Sequence, residues 1–180
     1  MRILLDDTAA VVIDYQERLM PVMFNKDSLV ERSVTLLKGL NILGVPMFVS
    51  EQYVKGLGKT DSAIAEAAGT HKYLEKTEFS LCDNPEMMAE IEAMGKKNVI
   101  VCGIEAHVCV LQTVVDLKSR GYNVVLVTDC ITSRKENDKK YAIKRARDEG
   151  AVLTTAEAIL FELLRKSGGD TFKAISKLVK

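Results

Sequence analysis

Charge of one sign is missing from this sequence: 25 basic residues stand against 25 acidic ones, a formal net of zero. A nucleic-acid-binding chain ordinarily carries a basic excess or a basic stripe. The nearest feature is Lys139, Lys140, Lys144, Arg145 and Arg147, interleaved with apolar residues as on the wet face of a helix, so no nucleic-acid partner is expected. Long hydrophobic runs are also missing. Asp6 and Asp7 break the apolar start, which excludes a signal-peptide core there, and no stretch approaches a membrane span. Histidine is scarce: His71 and His107 alone cannot build a usual zinc site. The four cysteines, Cys82, Cys102, Cys109 and Cys130, form no CxxC pair, so no metal is expected. Without a secretory signal they are expected to be reduced thiols in the cytoplasm. There is no GxGxxG or GxxxxGK[ST] loop, and Gly56–Gly58 does not lead from a strand into a helix, so no nucleotide or other cofactor is expected.

What the sequence does contain is a core and a repeated phrase. Apolar residues make up 47% of the 180 positions, enough for one domain over residues 1–180. Four times an amphipathic run meets a glycine and then a short β-branched run: around Gly44, Gly95, Gly121 and Gly150. Glycine just past a helix supplies the left-handed cap. The runs that follow are Pro46–Ser50, Asn98–Cys102, Asn123–Thr128 and Ala151–Thr154, continuously apolar rather than alternating, as strands buried on both faces require. With Ala9–Asp14 ahead of them and a weaker extended segment at Lys72–Thr77, they predict a Rossmann-like α/β fold: a three-layer α/β/α sandwich around a six-stranded parallel sheet. Helices are expected over about 28–43, 85–94, 106–120, 137–149, 156–166 and 170–178. Glu51 to Thr70 reads as a long loop with a helical turn near 62–68, and loops of that length are usually functional.

Open parallel sheets bind ligands at the carboxyl ends of their strands, beside the point where strand order reverses. In the order 3-2-1-4-5-6 that point lies between the first and fourth strands. Asp14 ends the first, and Gly103-Ile-Glu-Ala-His-Val-Cys109 follows the fourth, so topology alone brings Asp14 and Cys109 to one crevice. A thiol in the first turn of a helix becomes more thiolate-like, and the same backbone N–H groups suit an oxyanion. By position alone Cys109 reads equally as a small buried residue filling space. Asp14 follows a purely apolar strand, where a carboxylate is costly unless paired or employed; it reads either as a cap or turn residue or as a general base. Lys76, in Lys72-Tyr-Leu-Glu-Lys76-Thr-Glu-Phe-Ser80, could balance that carboxylate, although a lysine in a polar stretch is ordinarily solvated. His107 makes a poor dyad with Cys109, because i and i+2 side chains on a helix diverge.

Three stretches together, Val11-Val-Ile-Asp14-Tyr-Gln16, Lys76-Thr-Glu-Phe-Ser80 and Gly103-Ile-Glu-Ala-His-Val-Cys109-Val, resemble the isochorismatase-like, or cysteine hydrolase, superfamily in order and spacing, over roughly residues 5–178. The resemblance implies that superfamily's hydrolase fold and a catalytic triad of Asp14, Lys76 and Cys109. It also implies a cis peptide between Ile104 and Glu105, which aims the Glu105 and Cys109 N–H groups at an oxyanion. By analogy Gln16, Gln52 and Tyr53 line the substrate pocket. Members that hydrolyse isochorismate lack the cysteine, and nicotinamidases hold a metal where this chain reads Ser50-Glu-Gln-Tyr53 without the histidine, so neither reaction is expected. The similarity is greatest to the isochorismatase domain-containing branch.

The resulting expectation is an enzyme that hydrolyses a small amide or related C–N substrate through a thioester. A non-catalytic or redox-sensing thiol protein on the same fold is the alternative, and a nucleotide-dependent oxidoreductase is disfavoured by the missing phosphate loop. The partners expected are a small-molecule substrate and, by resemblance, further copies of the chain in a dimer or larger assembly, with Ser133 and segment 155–165 as interface positions; no membrane contact is expected.

Overall fold

The computed structural model describes all residues from Met1 to Lys180. Six strands, β1 (Thr8–Ile13), β2 (Met47–Gln52), β3 (Lys72–Lys76), β4 (Asn98–Ile104), β5 (Asn123–Thr132) and β6 (Val152–Thr154), pair in the order β3-β2-β1-β4-β5-β6. Every pairing is parallel. The helices are α1 (Lys26–Leu43), α2 (Val54–Leu57), α3 (Ser62–Ala68), α4 (Pro85–Ala93), α5 (Leu111–Ser119), α6 (Glu136–Asp148), α7 (Ala156–Leu164) and α8 (Gly169–Leu178).

Strand composition explains the layering. Central β1 and β4 are buried at every residue, so their side chains alternate between two cores without any polar face. Ala10, Val12, Ile100, Cys102, Val125 and Val127 meet α1, α3, α7 and α8 on one side. Val11, Ile13, Val99, Val101, Val124 and Leu126 meet α4, α5 and α6 on the other. Each such Val or Ile contributes roughly 1.5–3 kcal/mol of burial. Edge strand β3 is mostly exposed and turns inward only at its last residue, Lys76.

The helix ends are specified locally. Gly44 closes α1 at φ 71°, and its N–H and that of Val45 return to the last turn. Asn84 caps α4, accepting from the N–H groups of Glu86 and Met87 ahead of Pro85 in the first turn. The segment expected to be one long loop is more ordered than its composition suggests. It holds α2 as well as α3, and Gln16 pairs with Thr60 as an isolated antiparallel bridge.

Two features set the crevice. Gly103 lies at φ 137°, and a Cβ there would stand 2.2 Å from the carbonyl oxygen of Ile13, so only glycine lets β4 close against β1 at the switch point. Beside it, β4 advances from Val101 to Gly103 while β5 runs from Leu126 to Ile131. That bulge carries Thr132 and Ser133 over the carboxyl edge of the sheet. No helix is long and apolar enough to cross a membrane.

Candidate active site

Asp14 leaves β1 at φ 52° and is fully buried. Register sets its neighbours: Ile13 pairs with Ser50 on one side and Gly103 on the other, and Gln52 pairs with Lys76. The Ser50 hydroxyl donates to Asp14 Oδ1 at 2.7 Å, and Lys76 Nζ donates to Asp14 Oδ2 at 2.7 Å. The lysine's remaining protons go to Gln52 Oε1 at 2.5 Å and the Glu78 carbonyl at 3.1 Å. All three donors of the ammonium are therefore engaged, and Lys76 is a fixed cation rather than a free hydrogen-bond donor. Its aliphatic stem explains how it can be 2% exposed at the end of an otherwise exposed strand.

Cys109 stands in a π-type turn, Ala106–Val110, that opens α5. Such turns often occur where a side chain must be re-aimed. The thiol is 7% exposed. Burial first, and then the negative charge of Asp14, push its pKa up to about 12, against the opposing pull of Lys76. Removal from water and a facing carboxylate outweigh the helix terminus, so the resting group is a neutral thiol beside an Asp–Lys ion pair.

The peptide between Ile104 and Glu105 is cis, and the Glu105 N–H donates to no backbone carbonyl. The Glu105 side chain is held from outside by Arg134, whose N–H and Nε donate to Oε2 at 3.1 and 3.0 Å. His107 does not serve Cys109: its Nδ1 is 2.9 Å from the Ser133 hydroxyl. His71 is far from the site in the fold, bonded to Asn41.

The residues expected to line the pocket divide. Gln16 is fully buried and acts as a clamp. Its Oε1 accepts from the Gln52 N–H at 2.7 Å, and its Nε2 donates to the carbonyls of Gln52 and Gly58 at 2.9 and 2.6 Å. That amide is spent on backbone, so Gln16 braces the loop instead of facing a ligand. Gln52 holds Lys76 and the Thr77 carbonyl. Tyr53 is half-exposed, and its N–H donates to the Lys76 carbonyl at 2.9 Å. Sequence reasoning missed the structural parts of Ser50, Gln52 and Glu78, whose only signal is their position at strand ends beside Asp14 and Lys76.

Of the expected interface positions, Ser133 needs correction. Ser133 is fully buried, bonded to His107 and accepting from the Phe24 N–H. The apolar face of α7, with Ile159, Leu160 and Leu163, packs into the chain's own core. No cluster of three or more His, Cys, Asp or Glu is placed to hold a metal ion. A cavity of about 430 Å³ beside Lys96, Arg120 and Tyr122 lies at the opposite, amino edge of the sheet.

Comparison with known proteins matches the isochorismatase domain to residues 8–158. The isochorismatase family protein 1B of Dictyostelium discoideum is 34% identical over 184 residues, covering 99% of this chain and 89% of that protein. Against some other curated relatives the chain spans 59% of their length. Among solved structures, the MAR1 ribonuclease of Caenorhabditis elegans is 38% identical with a TM-score of 0.93, covering 99% of this chain and 92% of that one. The YcaC gene product of Escherichia coli, an octameric hydrolase of unknown specificity, shares the fold at 22% identity and a TM-score of 0.93, covering 99% and 89%.

Proposed function

The chain belongs to the isochorismatase domain family, and from that premise we propose that it is a cysteine hydrolase cleaving a small amide or related C–N bond other than a peptide bond. The observation that carries this reading is a thiol set beside a buried Asp14–Lys76 ion pair at the switch point of the sheet. Because the resting thiol keeps its proton, its transfer belongs to the attack itself. Cys109 Sγ bonds to the substrate carbonyl carbon as the S–H proton passes to Asp14, and the carbonyl electrons move onto oxygen. The Glu105 and Cys109 N–H groups receive that oxyanion. Collapse breaks the C–N bond, Asp14 returns the proton to the leaving amine, and a thioester remains. Water then attacks the thioester, giving one proton to Asp14. The acid leaves, and the proton returns to sulfur.

Lys76 acts through Asp14. With its three protons already placed, it orients and pairs the carboxylate within an apolar edge where an unpaired charge would be expensive. Ser50 fixes the other carboxylate oxygen. Tyr53 is the position left to touch a substrate, and Gln16 keeps its loop in place. The four unpaired cysteines suit a reducing cytoplasm. Assembly into a homo-oligomer, as in the octameric YcaC protein, is part of the same reading.

A second reading comes from the 38% identity to the MAR1 ribonuclease, namely cleavage of an RNA phosphodiester. A screen of the purified protein separates the two. Small amides, carbamates and ureas are assayed by ammonia release, with single-stranded RNA as a parallel substrate. Ammonia release that disappears in Cys109→Ala is expected. RNA cleavage without ammonia release from any amide would overturn the C–N reading.

A further inference from the structure

The ion pair that organises the site also leaves it with no charge to offer a ligand. We propose, resting on the hydrolase reading above, that the Cys109 crevice accepts uncharged substrates bearing an apolar acyl group and rejects anionic ones.

The one lysine or arginine buried at the crevice is already committed. Lys76 is saturated by Asp14, Gln52 and the Glu78 carbonyl. Arg134, exposed at the surface, pairs with Glu105 through its Nε, and its backbone N–H donates to the same oxygen. Arg18, on the loop after β1, donates to the Gly56 carbonyl on the loop after β2. A carboxylate or phosphate brought to Cys109 would lose water and meet Asp14 with no unpaired buried cation to receive it, a penalty that burial magnifies.

Negative charge is present at the mouth as well. The Glu78 carboxylate accepts from the Thr77 N–H and the Asn84 amide. Those bonds and local backbone contacts hold its pKa below the usual carboxylate range, so it is ionised at neutral pH.

Between these charges the rim is apolar. Val22, Phe24, Tyr53 and Phe79 are all exposed, on the loops that follow β1, β2 and β3. Each is tied to the site through backbone. The Phe24 N–H donates to the Ser133 carbonyl, whose residue's hydroxyl meets His107, two positions before Cys109. The Tyr53 N–H donates to the Lys76 carbonyl. Phe79 follows Glu78, whose carbonyl holds the ammonium. Aromatic and branched side chains left in water at one sheet edge gain by covering an apolar group, and they give an anion nothing.

The test is a matched pair of thiol reagents of nearly equal size, iodoacetamide and iodoacetate. In both, sulfur bonds to the CH2 carbon, iodide leaves, and the thiol proton goes to Asp14 and then to solvent. Rates at Cys109 are followed by peptide mass on the full chain, with Cys109→Ser as the blank, and the amide-to-acid rate ratio is divided by that of glutathione at the same pH. A ratio about tenfold above glutathione is expected. Phe79→Lys or Val22→Lys, each of which adds an unspent cation at an exposed rim position, should bring the ratio back toward glutathione. A wild-type ratio equal to glutathione's overturns the proposal, as does an elevated ratio that neither lysine variant lowers. Failure of both reagents to label Cys109 while other thiols react is a different result: it overturns the hydrolase reading itself, and this inference with it.

Discussion

Lys76 Nζ lies 2.7 Å from Asp14 Oδ2, with 0% and 1% of the two side chains exposed. Removing one partner leaves a bare charge on a side chain almost wholly out of contact with solvent. Such losses cost about 3–5 kcal/mol, whereas replacing both partners together is far milder. Lys76→Met should therefore lower stability by about that amount in urea unfolding. The double variant Asp14→Asn with Lys76→Met should be more stable than Lys76→Met alone. Additive losses in the double variant would show that the pair is not coupled.

Gly103→Ala addresses the closeness of β1 and β4. The added methyl would fall 2.2 Å from the Ile13 carbonyl oxygen, and the residue would have to keep φ 137°. Overpacking and backbone strain together make a loss of at least about 2–3 kcal/mol the expected outcome. A variant with wild-type stability by calorimetry would mean that the two strands can separate at the switch point without cost.

The thiols give the fold an alkaline limit. Burial raises Cys109 and Cys102 from an ordinary 9.0 to about 12 each. A group whose pKa is raised in the folded state contributes fully below its unfolded pKa and loses that contribution as pH climbs through the folded value. Stability should thus hold up to about pH 9 and then fall toward pH 12, with each thiol adding a slope of about 1.4 kcal/mol per pH unit. Urea unfolding between pH 8 and 11 measures it, and Cys102→Ala should flatten the decline. A stability profile with no fall above pH 9 would contradict the burial of these groups.

Gln16 links the end of β1 to the loop beyond β2 through three hydrogen bonds to backbone. Gln16→Ala leaves the Gln52 N–H and the Gly58 carbonyl without partners, at about 1–3 kcal/mol for each group that stays buried. Amide hydrogen exchange should quicken selectively over residues 52–60, while β1 and β4 keep their protection. Uniform acceleration across the chain would assign Gln16 to global stability instead of to this loop.

How much was legible follows from what each residue's neighbours encode. β1 and β4 could be read because unbroken Ala, Val and Ile runs have no other stable home than a two-faced sheet. The strand order rests on the common doubly wound scheme, which the observed β3-β2-β1-β4-β5-β6 order matches. β3 was faint because an edge strand need not be apolar, and four of its five residues lie outside the core. The bonds of Lys76 to Asp14 and Gln52 span 62 and 24 positions, and no local pattern marks a lysine for burial. Gln16 was misread as pocket lining for the same reason: its clamp depends on where residues 52 and 58 go, which only the assembled sheet decides. A helix terminus is a local cue that favours a thiolate, whereas the burial that raises the Cys109 pKa comes from the whole fold.

The most direct measurement is intact-mass trapping of an acyl intermediate. The protein is mixed with a neutral amide or activated ester, acid-quenched, and mapped by peptide mass, with Asp14→Asn and Cys109→Ser in parallel. A single acyl group per chain on the peptide containing Cys109, much reduced in Asp14→Asn and absent in Cys109→Ser, is the expected result. Turnover of a confirmed substrate by Cys109→Ser at the native rate, or an adduct confined to another residue, would contradict the assignment of this thiol as the nucleophile.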